Sequence, residues 1–253
     1  MPEADLSFLT VAVAAVLISG ISKGGFGGGL GFVATPLLAL TAPPAAAAAI
    51  MLPILIMIDQ VGMYSYWRKW SWAAVWPTLI AAAAGIGLGM LAFGAVSASL
   101  LRLGLGVIAI LFLIFQLTRK FGWTPDAAGP RAPRAAFWGA VAGFTSTISH
   151  AGGPPVTIYL LAERLEKTVY QASTVLIFWA INLMKIGPYA ALGVLDLSSL
   201  SISLMLAPAA IVGVLIGIWA HKRVPETLYF RAVAILLGLT GAKLIWDGLA
   251  GMP

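Results

Sequence analysis

The sequence contains no cysteine and few charged residues. None of its 253 residues is a cysteine, which excludes disulfides, thiol chemistry and thiolate metal sites and leaves the redox compartment open. Only 9% of the residues are charged while 60% are hydrophobic, and no polar region long enough for a soluble domain separates the apolar segments. This composition predicts an integral membrane protein.

Motifs that mark zinc hydrolases and pumps are also absent. The sequence has no His-Glu-x-x-His motif and no phosphate-binding loop, which disfavours a zinc-dependent hydrolase and a primary pump. Gly20-Ile-Ser-Lys-Gly24 matches the Gly-x-Ser-x-Gly pattern, but it lies within a hydrophobic run and not after a strand, where a nucleophile elbow would require it. The formal charge of +6 comes from basic residues scattered between apolar segments, so helix orientation explains it better than nucleic-acid binding does. The acidic start of the chain lacks the basic region of a signal peptide. We predict no cofactor, no metal and no nucleic-acid partner.

Hydrophobic runs of about 20 residues recur along the chain, and each is long enough to cross a bilayer as a helix. Two longer runs are broken near the middle by glycine and proline, and each is followed by three unbroken runs. The predicted segments are 6–40 (broken), 44–66, 72–93, 99–117, 135–162 (broken), 168–194, 197–220 and 228–249. Proline, glycine and charge mark 119–133 as a cytoplasmic linker between two transmembrane repeats, 1–118 and 134–253.

The two halves have their features in the same order, as an internal repeat would. Sliding one half over the other by about 124 positions places Phe26 on His150 and, within one position, Asp59 on Asn182. The identity between the halves is weak. The order of broken element and three helices is the same in both.

Loop charges favour a topology in which each broken element is a re-entrant hairpin that does not cross. With the N-terminus outside, most arginines and lysines then lie in cytoplasmic loops, and the outside keeps only Arg102 and Lys243. Three crossings per half is an odd number, so the halves would be inverted relative to each other. The alternative is two long broken helices that cross, which gives parallel repeats. The predicted fold is thus an all-α polytopic membrane protein of two inverted repeats.

The two breaks indicate a site for a small anion. Lipid cannot satisfy the backbone amides that a broken helix exposes, so such a break must face protein or a watery cavity. The amides of Gly28 and Gly29 lie at one break, and those of Gly152 and Gly153 lie at the other. Together with nearby helix N-termini, these amides favour an anionic ligand. Hydroxyls beside the breaks, among them Ser22 and Ser149, could bind an oxyanion or satisfy the broken backbone.

Two lysines lie inside hydrophobic segments, where an ammonium is costly unless it faces a cavity or a partner. Lys185 follows Asn182 by three positions, so both side chains share a helical face and can converge on one ligand. A structural ion pair between Lys185 and Asp59 is the alternative. Lys23, at the first break, could attract an anion or reach the surface water.

Two residues are candidates for carrying a coupling proton. Asp59 is the one carboxylate well inside a predicted span, and it could equally be a charge partner of Lys185 or Lys23. His150, at the second break, could titrate near neutrality or donate to an anion. It could also be a hydrogen-bonded structural residue.

The paired motifs resemble those of the sulfite exporter TauE/SafE family, a group of anion permeases, over nearly the whole chain. The resemblance rests on Lys23-Gly-Gly-Phe-Gly-Gly-Gly-Leu-Gly31 with Pro36, on His150-Ala-Gly-Gly-Pro-Pro155, and on Asn182-Leu-Met-Lys185 with Gly187 and Tyr189. It implies export of sulfite or of a small organosulfonate such as sulfoacetate, driven by an ion gradient. Nothing in the composition or spacing distinguishes sulfite from a small carboxylate.

We therefore expect a secondary transporter in the cytoplasmic membrane that works by alternating access and is surrounded by lipid. Its substrate would be a small anion, and a homo-oligomer is one expectation for its assembly. A carrier or channel for a small carboxylate is the alternative. A more remote alternative is an intramembrane hydrolase that uses Ser149 and His150. Residues adjacent in sequence, however, rarely have the geometry of a catalytic pair.

Overall fold

The computed structural model describes residues 5–25, 33–95, 97–120, 131–221, 223 and 226–251. Within these ranges the chain forms ten α-helices and no strand. In chain order they are α1 Leu6–Gly25, α2 Ala34–Leu38, α3 Pro44–Ser65, α4 Trp72–Ala95, α5 Ala98–Lys120, α6 Arg131–Ser149, α7 Gly153–Ala162, α8 Lys167–Ala191, α9 Leu197–His221 and α10 Glu226–Ala250.

Five of the described helices, α1, α3, α4, α8 and α9, are long and apolar enough to cross a membrane. A helix rises about 1.5 Å per residue, so some 20 residues match a hydrocarbon core of roughly 30 Å. The prediction of an all-α polytopic membrane protein is therefore confirmed.

The predicted segments agree with the helices to within a few residues, except around the linker and near Lys185. Helix α5 continues to Lys120 and α6 begins at Arg131, so both ends of the predicted linker are helical. Pro133 is tolerated there because the first turn of a helix has no intrahelical N–H bond to lose. Helix α8 also continues through Pro188, although the dipeptide Gly187-Pro188 by itself favours a break in a helix. Residues 121–130 lie outside the described residues.

Glycines bring two pairs of helices together backbone to backbone. A Cβ at Gly85 or Gly143 would overlap a carbonyl oxygen of the facing helix, which is how α4 and α6 come so close. Gly20 and Gly213 have the same role between α1 and α9. In the predicted repeat, α4 corresponds to α9 and α6 corresponds to α1. The contact between α4 and α6 is therefore equivalent to the contact between α9 and α1.

Helices that are equivalent in the predicted repeat run antiparallel where they meet. On α3 and α8, Asp59 contacts Asn182 while Gly62 lies against Val175, so residue numbers rise on one helix as they fall on the other. Helices α5 and α10 also run antiparallel, because the start of α5 contacts the end of α10. If the two halves are inverted, equivalent helices are expected to run antiparallel. The inverted repeat itself stays a prediction.

Helices α6 and α7 form a helical hairpin. At its tip the chain turns back sharply at His150, whose φ is 54°. At its open end Glu163, which directly follows α7, forms ion pairs with Arg131 and Arg134 in the first turn of α6. The hairpin therefore starts and finishes at the same end of the bundle. The re-entrant topology requires both ends of the hairpin to lie at the same end of the bundle. The depth of the hairpin in a membrane stays a prediction.

The first broken element is described only in part. Helix α1 ends at Gly25, and α2 is five residues long, fully buried and packed against α1 and α3. The connection between them, residues 26–32, lies outside the described residues. The predicted amide ligands Gly28 and Gly29 fall in that connection.

Candidate functional site

Four elements bring charged and polar side chains together in the interior of the bundle. They are the end of α1, the middle of α3, the tip of the α6–α7 hairpin and the second half of α8. The side chains that meet there are Lys23, Asp59, Ser146, His150, Asn182 and Lys185. We call this group the central polar cluster.

One part of the central polar cluster is organised around the carboxylate of Asp59, which is 4% exposed. One of its oxygens, Oδ1, pairs with the ammonium of Lys23. The other, Oδ2, accepts a hydrogen bond of 2.8 Å from the side-chain amide of Asn182. The carboxylate therefore links α1, α3 and α8. The predicted repeat aligns Asp59 with Asn182 to within one position, so an axis relating the two halves would pass near this contact.

The other part is organised around Lys185, which is fully buried. Its Nζ donates to the carbonyl oxygen of Ser146 at 3.1 Å and to the hydroxyl of Ser146 at 2.9 Å. The third contact of Nζ is with Nδ1 of His150 at 2.7 Å. Three polar atoms therefore lie within hydrogen-bond distance of Nζ. Lys185 therefore holds the tip of the hairpin against α8.

The contacts of His150 assign its tautomer. Its Nε2 lies 3.0 Å from the carbonyl oxygen of Ala48, which can only accept, so Nε2 carries the proton. Its Nδ1 faces the ammonium of Lys185 and so acts as the acceptor. The imidazole is therefore neutral in this arrangement and bridges α3 and α8.

The structure gives the predicted site residues the following partners. Asn182 donates to Asp59 while Lys185 contacts the hairpin tip, and their convergence on one ligand stays a prediction. Of the two charge partners suggested for Asp59, the structure pairs it with Lys23 and not with Lys185. The side chain of Lys23 is only 12% exposed, so it does not extend to the surface water.

The remaining candidates lie beside the two breaks. Ser22 is fully buried near the end of α1. The hydroxyl of Ser149 donates to the carbonyl oxygen of Thr145 at 3.1 Å, one turn back along α6, which is a backbone-satisfying contact. Gly152 lies at the turn where the hairpin backbone folds tightly onto α6, and Gly153 begins α7.

Two residues that sequence reasoning did not single out as site residues also lie at the cluster. Phe178 places its ring 5.5 Å from Nζ of Lys23. The hydroxyl of Tyr189 donates to the carbonyl oxygen of Thr147 in the hairpin. Helical spacing could have identified both, because Phe178, Asn182, Lys185 and Tyr189 recur every three or four positions on one face of α8. Ser146, one of the hydroxyls that the sequence places beside the second break, contacts Lys185 in the cluster.

The arrangement suits anion binding and does not suit a Ser/His hydrolase. Both ring nitrogens of His150 contact groups other than Ser149, and the Ser149 hydroxyl bonds to backbone, so the two do not form a nucleophile–base pair. In the described part of the chain, no three His, Asp or Glu side chains come together to hold a metal ion. Lys23 and Lys185 instead supply two cations to one buried cluster.

Comparison with known proteins gives one match. The family model described as sulfite exporter TauE/SafE matches residues 12–244, which include every residue of the central polar cluster. No curated protein and no solved structure matches the chain.

Proposed function

The chain belongs to the sulfite exporter TauE/SafE family, and on this basis we propose that it is a secondary transporter that exports sulfite or a small organosulfonate. The observation that carries the proposal is that two lysines, one fully buried and one 12% exposed, share a cluster with a single buried carboxylate. A charge inside a membrane protein is costly unless it has a partner, so this cluster favours an anion. Family membership and five membrane-capable helices support a multi-pass membrane location.

In this mechanism the substrate binds at the central polar cluster while the two halves rock around it. Lys23, Lys185 and Asn182 would supply charge and hydrogen bonds. The hairpin tip, with its amides at Gly152 and Gly153, would close over the anion from the other side. The antiparallel crossing of α3 and α8 supports this arrangement, because both halves contribute to the site there. Either Asp59 or His150 would carry the coupling proton.

Orientation and assembly are part of the proposal. The basic residues near the open end of the α6–α7 hairpin would lie on the cytoplasmic side of the cytoplasmic membrane. Transport would then run outward from that side. The exposed apolar helix faces would contact lipid or a second copy of the chain.

A flux assay in liposomes tests the proposal. Wild-type protein should move radiolabelled sulfite or a sulfonate in a saturable way driven by an ion gradient, and Lys185→Ala should reduce this flux by about 100-fold or more, since truncating a buried charge that contacts the ligand costs several kcal/mol. Lys243→Ala is the matched control, because Lys243 is 59% exposed and pairs with Asp247 on the surface of α10.

Three results would contradict the proposal. Unchanged flux in Lys185→Ala would remove this residue from the mechanism. Flux of acetate or lactate with none of sulfite or sulfonate would favour a carboxylate carrier. Flux that neither saturates nor couples to a gradient would favour a channel.

A further inference from the structure

The buried hydrophobic side chains form two cores, and these cores do not follow the two predicted repeats. The first core is formed mainly by α1, α2, α3 and α9, with contributions from α5 and α10. The second core is formed mainly by α4, α6, α7 and α8. Three side chains cross this division, since Ile148 and Tyr189 reach the first core and Met63 reaches the second. Each core therefore contains one helix from the other repeat, which is α9 in the first core and α4 in the second.

The two groups of helices are equivalent under the predicted repeat. We call α1, α2, α3 and α9 body 1, and we call α4, α6, α7 and α8 body 2. The repeat makes α1, α2, α3 and α4 correspond to α6, α7, α8 and α9, in that order. Exchanging the repeats therefore converts body 1 into body 2.

Each exchanged helix is fixed to its body by close packing and by a hydrogen bond. Helix α9 packs backbone to backbone against α1, and the hydroxyl of Ser203 donates to the carbonyl oxygen of Ile50 in α3 at 2.7 Å. Helix α4 packs in the same way against α6, and the carbonyl oxygen of Ala74 accepts a hydrogen bond of 3.3 Å from Tyr159 in α7. Moving one repeat away from the other would break all of these contacts.

The two bodies meet where α3 crosses α8, and we call this crossing the seam. Hydrogen bonds join the bodies along it. The pairs are Asp59 with Asn182 at 2.8 Å, Gln60 with Trp179 at 3.0 Å and Ala48 with His150 at 3.0 Å. Water can replace a hydrogen-bond partner when two surfaces separate, whereas closely packed backbones lose their contacts outright. The seam is thus easier to open than the packing inside either body, and the central polar cluster lies on it.

We propose that the units that move against each other during transport are body 1 and body 2, and not the two repeats. This inference rests on the proposed function and specifies which parts rock around the central polar cluster. Each body keeps its core and its exchanged helix, and the seam opens at one end and then at the other. The substrate reaches the cluster from one side of the membrane at a time.

Engineered disulfides test this inference, because the natural sequence has no cysteine and oxidation of the wild type forms no disulfide. The seam pair is Gly62→Cys with Val175→Cys, which links body 1 to body 2. A Cβ at Gly62 lies 3.9 Å from the Cβ of Val175, which is within the range that a disulfide spans.

Two matched pairs also link one repeat to the other, but they leave the seam free. Ser71→Cys with Ser173→Cys joins the residue before α4 to α8 in body 2, where the amide of Ser71 lies 3.0 Å from the hydroxyl of Ser173. Ser99→Cys with Gly251→Cys joins α5 to the residue after α10, where a Cβ at Gly251 lies 3.5 Å from the Cβ of Ser99. Helices α5 and α10 pack against each other and both contribute to the first core.

The measurement is exchange of labelled methanesulfonate by purified protein in liposomes, because sulfite would cleave a disulfide. Oxidation of the seam pair should reduce exchange by about tenfold or more, since a disulfide cannot stretch while the seam opens, and a reductant should restore it. Oxidation of either matched pair should leave exchange within about twofold of that of the reduced protein. Loss of maleimide labelling gives the fraction of each protein that is cross-linked.

Two results would overturn the inference and leave anion transport intact. One is that a cross-linked matched pair loses exchange as the seam pair does, because the repeats would then be the moving units. The other is full exchange by the cross-linked seam pair. If the seam pair does not fold, the matched pairs still test the inference, since either would block repeats that move as units.

The wild type separates this inference from the proposed function. If it moves neither methanesulfonate nor sulfite, the proposed function fails and this inference fails with it. If it moves sulfite alone, dibromobimane replaces the oxidant and labelled sulfite replaces methanesulfonate, because sulfite does not cleave thioethers. The same comparison between the seam pair and the matched pairs then decides the inference.

Discussion

The backbone at His150 adopts a conformation that few non-glycine residues tolerate. Its φ of 54° lies in the left-handed region, where Asn is accepted at little cost and β-branched residues are not. The sharp turn at this residue allows α7 to fold back on α6, and the same residue carries the ring that contacts Lys185 and Ala48. One position therefore sets both the backbone turn and the polar contacts of the hairpin tip.

We expect His150→Asn to be more stable than His150→Val by about 1–2 kcal/mol, the cost of left-handed backbone for a residue with a Cβ branch. Both variants remove the imidazole, so the loss of its own contacts is common to the two proteins. The measurement is denaturant-induced unfolding of purified protein in detergent. Equal stabilities would show that the turn adapts without strain.

The polar residues that meet in the central polar cluster could be identified from the sequence, but their pairing could not, and their roles in binding stay predictions. Lys23, Asp59, Asn182, His150 and Lys185 were identifiable because polar groups are rare inside hydrophobic segments. Whether Asp59 pairs with Lys23 or Lys185 depends on how α1, α3 and α8 cross. Positions along a single helix carry no information about that crossing.

Among the helices, the contact between α4 and α6 depends on the absence of side chains at particular positions. A Cβ at Gly143 would overlap the carbonyl oxygen of Ala82, while a Cβ at Gly87 would meet nothing within 4 Å. We expect Gly143→Ala to destabilise the protein by about 1–3 kcal/mol, as overpacking does. Gly87→Ala should instead stabilise it by about 0.5–1 kcal/mol, since glycine weakens a helix interior.

Denaturant-induced unfolding of both variants in detergent tests this difference. The two substitutions are chemically the same, and they lie in α6 and α4, the two helices that form the contact. A Gly143→Ala protein as stable as the wild type would mean that α4 and α6 can separate without loss. That result would contradict the close approach of their backbones.

The open end of the α6–α7 hairpin is held by two ion pairs that share one carboxylate with little solvent exposure. Glu163 is 2% exposed and pairs with both Arg131 and Arg134. Glu163→Gln would leave Arg134 partly buried without its charge partner, and we expect a loss of about 3 kcal/mol. In the exposed pair of Lys243 and Asp247, four residues apart on α10, Asp247→Asn should cost about 0.5 kcal/mol or less.

Chemical unfolding in detergent at low and high salt tests the comparison. The effect of Glu163→Gln should persist at high salt because buried pairs are poorly screened, and the effect of Asp247→Asn should disappear. If both substitutions cost the same at low salt, the ion pair with Glu163 does not hold the hairpin closed.

Helix existence and most helix bounds could be predicted because apolar runs and glycine or proline breaks are local signals. The hairpin between α6 and α7 was predicted only indirectly, through loop charges. The contacts that close it, from Glu163 to Arg131 and Arg134, join residues about thirty positions apart. No local pattern specifies such a contact, so the sequence left the crossing alternative open.

For the whole molecule, the decisive question is which helix ends share a side of the membrane. The hairpin places the start of α6 and the start of α8 at the same end of the bundle, because Glu163 contacts Arg131. Helix α8 is 25 residues long and separates that end from the start of α9. The inverted topology therefore predicts that the starts of α6 and α8 lie on one side of the membrane and that the start of α9 lies on the other side.

Single-cysteine labelling can test this directly, because the natural sequence has no cysteine. Ala132, Glu166 and Ser198 are all exposed and lie at these three helix starts. In oriented vesicles treated with a membrane-impermeant maleimide, Ala132→Cys and Glu166→Cys should react from the cytoplasmic side and Ser198→Cys from the opposite side. Reaction of Ala132→Cys and Glu166→Cys from different sides would exclude the hairpin topology, since only a crossing element separates them. Reaction of both from outside alone would keep the hairpin and reverse the orientation, and the direction of export would then have to be reversed with it.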